Sequence, residues 1–409
     1  MKVVVINRSD SLGGAAIVSL RLVRALQQAG VDARMLVIDR QSDDARVGVM
    51  GGKWCNKWNF LAERLGVFLR NGLKRGTLFM IDPATHGVDI SGHPWVKEAD
   101  VVCLNWVNQG TLSLKGVERL AQSGKPLVWT MHDMWNCTGV CHHAYECEGY
   151  KTTCERCHLL GGKGRDLSTT TQERKSRLYA GANIHFVAVS NWLAEKCRES
   201  SLMCDSDISV IANAFPVEQF LSERLPNADY GIGEDKKVLV MGAARLDDPT
   251  KGFDQLIATT QYLAERKPQL AQRLHLLLFG AIKDETLLRS IAIPYTYLGM
   301  VDNVSSVYAH ADVVLSTSLY ETLPGTLIEG QASGCLPVTF GKGGQADIVE
   351  HLKTGYIADY KDAASVAAGI EWAINANVSR QFLHDEVERK FAASKIAQQY
   401  IELFNRIIT

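Results

Sequence analysis

Short apolar runs alternate with stretches of helical periodicity along the whole chain. In the first half the runs fall at 2–7, 33–38, 100–105, 126–130, 184–189 and 208–211. In the second half they fall at 237–242, 274–280, 297–301, 311–315, 336–340 and 355–359. Runs this short, mostly apolar and without regular alternation, read as parallel strands covered on both faces. Between them Ile17, Leu20, Val23 and Leu26 recur at helical spacing, as do Val304, Val307 and Tyr308. Near the end Ile396, Tyr400, Leu403 and Ile407 repeat the pattern. The alternation predicts an α/β fold with two doubly wound, Rossmann-like domains. A chain of 409 residues is long enough for both. A polar connection running from Asn213 through Pro226 and Gly233 divides them. The expected organisation is a first domain at 1–213, a second at 214–383, and a C-terminal helix at 384–409 that returns to the first.

The chemistry gathers where strands end. After the run at 311–315 the chain reads STSLYETLPGTLIEG, residues 316–330. Thr322 and Thr326 suit a helix entry, and Pro324 suits a first helical turn. A strand that hands over to a helix at a sheet edge offers free N–H groups to an anion, phosphate above all. Glu321 and Glu329 frame that turn. Carboxylates accept hydrogen bonds from sugar hydroxyls, so the pair fits a nucleotide-sugar, with Glu321 on the hexose and Glu329 on the ribose. The plainer alternative is one surface and one helical glutamate. Arg245 and Lys251 follow the run at 237–242, and their charges can neutralise a diphosphate. Gly13 and Gly14 make a turn after the first strand that lets a substrate approach main chain; they lack the full dinucleotide spacing, which weakens an NAD reading. His132 follows the run at 126–130, at the edge where substrates bind, with a core or capping imidazole as its alternative.

Charge and cysteines narrow the classes. The formal net charge of −1 gives no field for nucleic acid. No run reaches the length of a membrane span, and the N-terminal segment has no small-residue cleavage site. Residues 54–75 mix aromatics and leucines with Arg64, Arg70, Lys74 and Arg75. Such a helix either packs on its own domain or lies on an anionic membrane surface. Five of the ten cysteines fall between 137 and 158. Cys141, Cys147, Cys154 and Cys157, spaced C-x5-C-x6-C-x2-C, can close a structural zinc site; reduced or paired thiols and an iron–sulfur cluster are the alternatives.

Together these residues resemble a family. Glu321-x7-Glu329, Arg245 with Lys251, Gly13-Gly14, His132-Asp133 and the Gly343-Gly344 loop resemble retaining glycosyltransferases of the GT-B fold, family 4. The run from His132 through Thr138-Gly139 to Cys157 resembles a bacterial subgroup that builds capsule and exopolysaccharide. The resemblance implies two domains facing a cleft and no catalytic metal. It implies a nucleoside diphosphate sugar as donor and a glycan or lipid-linked acceptor, handled in the cytoplasm or peripherally on the inner membrane. Arg245 and Lys251 would bind the donor diphosphate with main chain near Gly325 and Thr326. Glu321 would hold the donor sugar, Glu329 the ribose, and His132 a sugar hydroxyl. The chain departs from the pattern at Ala214, Asp347, His158 and Cys137. A nucleotide-sugar epimerase and a catalytically silent binding or scaffold protein are the rival functions; a glycan phosphorylase lacks a supporting site for its pyridoxal lysine.

Overall fold

The computed structural model describes residues 1–161, 164–220 and 222–408. The chain divides into two compact units, Met1–Phe215 with Ala393–Thr409, and Pro216–Ala392.

The first unit is built on a seven-stranded parallel sheet. Its strands are β1 (Lys2–Ile6), β2 (Asp32–Val37), β3 (Val47–Val49), β4 (Val101–Leu104), β5 (Leu127–Met131), β6 (Ile184–Ala188) and β7 (Ile208–Val210). Their order is β3-β2-β1-β4-β5-β6-β7. The helices α1 (Gly14–Gln28), α2 (Lys53–Arg70), α3 (Pro94–Glu98), α4 (Leu114–Ala121), α5 (Leu167–Gly181) and α6 (Asn191–Arg198) accompany them. Val3, Val5, Cys103, Val128 and Val187 are fully buried in one core, because helices cover the sheet and no strand needs a polar face. Strand β3 was not legible in the sequence: Val-Gly-Val is too short to give a period.

The second unit repeats the plan with six strands. These are β8 (Lys237–Arg245), β9 (Leu274–Ala281), β10 (Tyr295–Tyr297), β11 (Val313–Ser316), β12 (Leu336–Phe340) and β13 (Tyr356–Ala358), in the order β10-β9-β8-β11-β12-β13. Its helices are α7 (Phe253–Arg266), α8 (Pro268–Ala271), α9 (Val304–Ala309), α10 (Gly325–Ala332), α11 (Gln345–Ile348), α12 (Ala363–Asn375) and α13 (Arg380–Phe391). The run expected as a strand at 297–301 is mostly loop; pairing with β9 uses Tyr295–Tyr297, and Gly299 with φ 66° turns the chain away. In both units the strand order reverses direction at one point, between β1 and β4 and between β8 and β11. Ligands of open α/β sheets bind beyond the strand ends at that reversal.

The tail is two helices and not one. Leu383, Val387 and Phe391 of α13 are buried, and its Arg380 donates to the carbonyls of Ala311 and Ser333, so this helix stays on the second unit. Ala392, with ψ 134° outside the helical region, then releases the chain to α14 (Ala393–Ile408). Its Ile396, Tyr400 and Leu403 enter the core of the first unit, and the Tyr400 hydroxyl meets Thr130 Oγ1 at 2.9 Å. The return therefore starts after 392 instead of at 384. Among the described residues no helix is long and apolar enough to cross a membrane.

Candidate active site

In the second unit the predicted groups converge at the β8/β11 reversal. A bulge separates Gly242 from Arg245 at the end of β8, and bulges re-aim the side chains that follow. Arg245 Nε stands 3.2 Å from Asp247 Oδ1 and its Nη2 3.6 Å from Asp248 Oδ2. The Asp248 carboxyl lies below the usual range: burial pushes it up, but Thr250 and the charges of Arg245 and Lys251 outweigh that. A single helical turn, Pro249–Lys251, then carries Lys251 to Glu321, with Nζ 2.6 Å from Oε1. Burial pulls the Lys251 ammonium down, yet the charge and hydrogen bond of Glu321 hold it above its ordinary value.

Two glycines permit this approach. Gly252 has φ +63°, and a Cβ there would lie 2.0 Å from the Thr317 carbonyl oxygen. Gly343 has φ +129°, and a Cβ there would lie 2.3 Å from the Glu321 carbonyl oxygen. That same oxygen accepts from the Gly344 amide at 2.9 Å, which fixes the backbone of Glu321 from the loop after β12.

Helix α10 starts one step from the sequence expectation. Pro324 is its N-cap, and no side chain caps the first turn. Thr322 is buried ahead of the helix and Thr326 lies inside it. The amides near Gly325 and Thr326 thus keep the anion-binding character of a helix N-terminus. Glu329 sits one turn further on, where Oε2 accepts from the Tyr308 hydroxyl at 3.4 Å. Tyr308 is wholly buried, and burial followed by the Glu329 charge raises its hydroxyl well above the ordinary value.

The first unit holds the remaining predicted groups. Gly13, with φ 92°, is the N-cap of α1 and Gly14 its first residue. Both are exposed, with open space where a Cβ would stand. His132 follows β5 and donates from Nε2 to Asn105 Oδ1, at 2.8 Å, just past β4. Burial lowers the imidazole to about 4, against a smaller opposing pull from Asp133. The ring is neutral at pH 7, and with Nε2 donating, Nδ1 is an acceptor. Asp133 turns the other way. Its Oδ2 accepts from Trp106 Nε1 at 2.9 Å and meets His142 Nδ1 at 2.8 Å. Burial pushes this carboxyl up, but His142 and His143 and the Trp135 amide hold it well below the usual range. Asp133 therefore ties the start of the cysteine segment to the sheet edge.

Cys141, Cys147, Cys154 and Cys157 all line one small cavity, as free thiols. The Gly139 amide donates to Cys154 Sγ at 3.2 Å. Burial pushes the Cys141 thiol up to about 12 and the Cys157 thiol to about 11. Among the described residues no three His, Cys, Asp or Glu side chains stand grouped so as to hold a metal ion. The thiols suit zinc by donor type and by sharing a cavity, but their present spacing does not form a coordination sphere.

Sequence reasoning missed Asp247 and Asp248 as partners of Arg245, Tyr308 as the partner of Glu329, and Asn105 as the partner of His132. Asn105 had a signal, since it is the first polar residue after an apolar strand at the binding edge. Tyr308 had none, because it read as one apolar position of a short helix.

Residues 235–376 match the family described as Glycosyl transferases group 1. N-acetyl-alpha-D-glucosaminyl L-malate synthase of Bacillus anthracis is 24% identical over 192 residues, which cover 44% of this chain and 48% of that protein. The chain thus spans about half the length of the curated relatives it matches. Among solved structures, a glycosyltransferase of Rickettsia africae aligns over 100% of this chain and 99% of its own, at TM-score 0.69 and 15% identity. Anabaena HepE in complex with UDP and glucose aligns over 99% of both chains, at TM-score 0.63 and 16% identity. Two Rossmann-like units, each reversing strand order once, are the GT-B architecture that these alignments cover from end to end. Residues 235–376 of the second unit are thus similar to group 1 glycosyl transferases, in a chain of GT-B fold.

Proposed function

We propose that the chain is a retaining hexosyltransferase that moves a sugar from a nucleoside diphosphate to a hydroxyl of a surface polysaccharide or lipid-linked glycan. The observation that carries this reading is the 2.6 Å contact of Lys251 with Glu321 at the strand reversal, beside Arg245 and the uncapped start of α10. Cations and amides suit a diphosphate, and carboxylates suit hydroxyls. A nucleoside diphosphate accords with the UDP bound by Anabaena HepE.

In this mechanism the bond between the sugar C1 and the diphosphate oxygen breaks while the acceptor oxygen bonds to C1 from the same face. The acceptor proton leaves with the departing diphosphate. Arg245, Lys251 and the first amides of α10 stabilise the charge that grows on the leaving group. Glu321 holds the hexose, and Glu329, steadied by Tyr308, holds the ribose. His132 accepts a sugar hydroxyl at its neutral Nδ1, and Gly13-Gly14 admit substrate to main chain. No side chain is asked to attack C1, and no metal ion is asked to carry the leaving group. A lipid-linked acceptor places the enzyme in the cytoplasm, peripherally on the inner membrane.

For the cysteine segment the reading is structural zinc on Cys141, Cys147, Cys154 and Cys157. Lys175 supports it. This lysine is wholly buried, donates among the described residues to the carbonyls of Trp135 and Thr138, and lies 3.4 Å over the Trp135 ring. Zinc with four thiolates carries net negative charge, which would compensate the ammonium.

The test is donor turnover across a panel of nucleoside diphosphate sugars, with the anomeric configuration of the product read by NMR. Release of nucleoside diphosphate from one donor, and a product of retained configuration, is expected. An epimerised donor without acceptor, or no turnover of any donor, contradicts the reading.

A further inference from the structure

Helix α2 is amphipathic in the inverse sense. Its buried positions are Asn56, Asn59, Glu63, Arg64 and Val67. Its outward positions are Trp54, Trp58, Leu61, Leu65 and Leu69, exposed by 80%, 69%, 50%, 56% and 62%. At about 100° per residue these five fall within an arc of about 80°. Leu73 and Phe79, just beyond the helix, are also more than half exposed.

The inward polar residues hold this orientation. Glu63 Oε2 accepts from the amide and hydroxyl of Thr85 and from the His86 amide. Arg64, which the sequence placed among the basic residues of a membrane-facing helix, points inward. It pairs with Asp82 at 2.6 Å and donates to the carbonyls of Leu78 and Ile81. Asn56 Nδ2 donates to the Met50 carbonyl at 3.0 Å. Rolling the helix to hide its leucines would strand a buried carboxylate and a buried guanidinium, so the apolar stripe is held outside.

The charges beside the stripe have one sign. Lys53, Lys57, Arg70, Lys74 and Arg75 are exposed, and the only acid between 53 and 79 is the buried Glu63. A second copy of the chain meeting this face would set like charges together, whereas an anionic lipid surface answers both the apolar stripe and the cations. We propose that the outer face of α2, with Leu73 and Phe79, docks on anionic lipid, with Trp54, Trp58, Leu61, Leu65 and Leu69 inserted at the headgroup boundary. The inference takes from the proposed function only the lipid-linked acceptor. Vesicle binding is read without turnover, so failure of either idea shows separately.

The experiment is flotation of the full chain with vesicles of phosphatidylcholine alone and with added phosphatidylglycerol, beside the molecular mass in solution. Binding to the anionic vesicles is expected, weakened by salt. Trp58→Glu with Leu65→Glu should abolish it while leaving thermal unfolding unchanged, since both side chains face outward. Neutralising Lys57, Arg70, Lys74 and Arg75 to Gln should weaken it by on the order of fivefold per charge. Should that double variant fail to fold, Leu61→Gln with Leu69→Gln gives the same reading. The proposal is overturned by absence of flotation at low salt, by flotation that the variants leave intact, or by a dimer that Trp58→Glu dissociates in a protein that ignores vesicles.

Discussion

Lys251 Nζ lies 2.6 Å from Glu321 Oε1, and the two residues follow the adjacent strands β8 and β11 where the sheet reverses order. Groups assigned to different parts of the donor are thus one coupled unit. Glu321 orients Lys251, and Lys251 orients Glu321. Removing either leaves the other partly buried without its partner.

The first prediction follows from that coupling. Lys251→Ala and Glu321→Ala should each lower kcat by on the order of 10²-fold or more. The double variant should fall by less than the product of the two losses, since each single change already breaks the shared contact. Glu321→Gln, which keeps the hydrogen bond and loses the charge, should be intermediate. Strict multiplicativity across the cycle would show that the pair does not act together. The pair's contribution to stability is complete below the ordinary lysine value of 10.5 and fades as pH rises through the higher value it has in the fold.

Tyr308 gives a second prediction at a distance from the reacting bond. Its hydroxyl holds Glu329 at 3.4 Å. Tyr308→Phe keeps the ring in its buried site and removes that hydrogen bond from the carboxylate. Donor KM should rise several-fold with kcat nearly unchanged, as removal of about 1 kcal/mol of ground-state binding requires. A fall in kcat at constant KM would move Glu329 from ribose binding to the chemistry.

Much of the site was legible because strand ends in a doubly wound sheet converge. Once the runs at 237–242 and 311–315 were read as strands, Arg245, Lys251 and Glu321 had to lie near one edge. Their pairing was not legible: periodicity places a residue at an edge without saying which neighbour its side chain meets. Asp247 and Asp248 were hidden for the same reason, since an acidic pair in a loop looks like solvated charge. Helix α2 misled more deeply. Its sequence has a basic and apolar mixture, but which cations turn inward depends on Asp82, far along the chain from Arg64. The tail reads as one helix because no glycine or proline interrupts 384–408, although Leu383 and Ile396 on either side of Ala392 enter different cores.

His132 carries a pH prediction. Its folded value is about 4, below the ordinary 6.5. The unfolded chain takes up this proton first, so stability should fall as pH drops from about 6.5 to about 4 and level off below. The loss attributable to this group is at most about 3 kcal/mol, reduced by partial exposure of the ring. His132→Asn should flatten that part of the curve in denaturant titrations between pH 7 and pH 4. An NMR titration placing the imidazole near 6.5 would contradict the burial argument.

For the cysteine segment, elemental analysis of protein purified without added metal should find about one equivalent of zinc. Chelation should lower the thermal midpoint, and Lys175→Met should lower zinc affinity more than it lowers the stability of the stripped protein. Metal-free protein of full stability, with all four thiols titratable, would contradict the assignment.

The central claim is that the second unit binds and activates a nucleoside diphosphate sugar through two glutamates with different work. The most direct measurement is kcat and KM for the preferred donor in Glu321→Ala and Glu329→Ala. Glu321→Ala should lose on the order of 10²-fold or more in kcat, because it positions the reacting sugar. Glu329→Ala should mainly raise KM, because ribose contacts change little between ground and transition states. Near-wild-type constants in both variants would contradict the account.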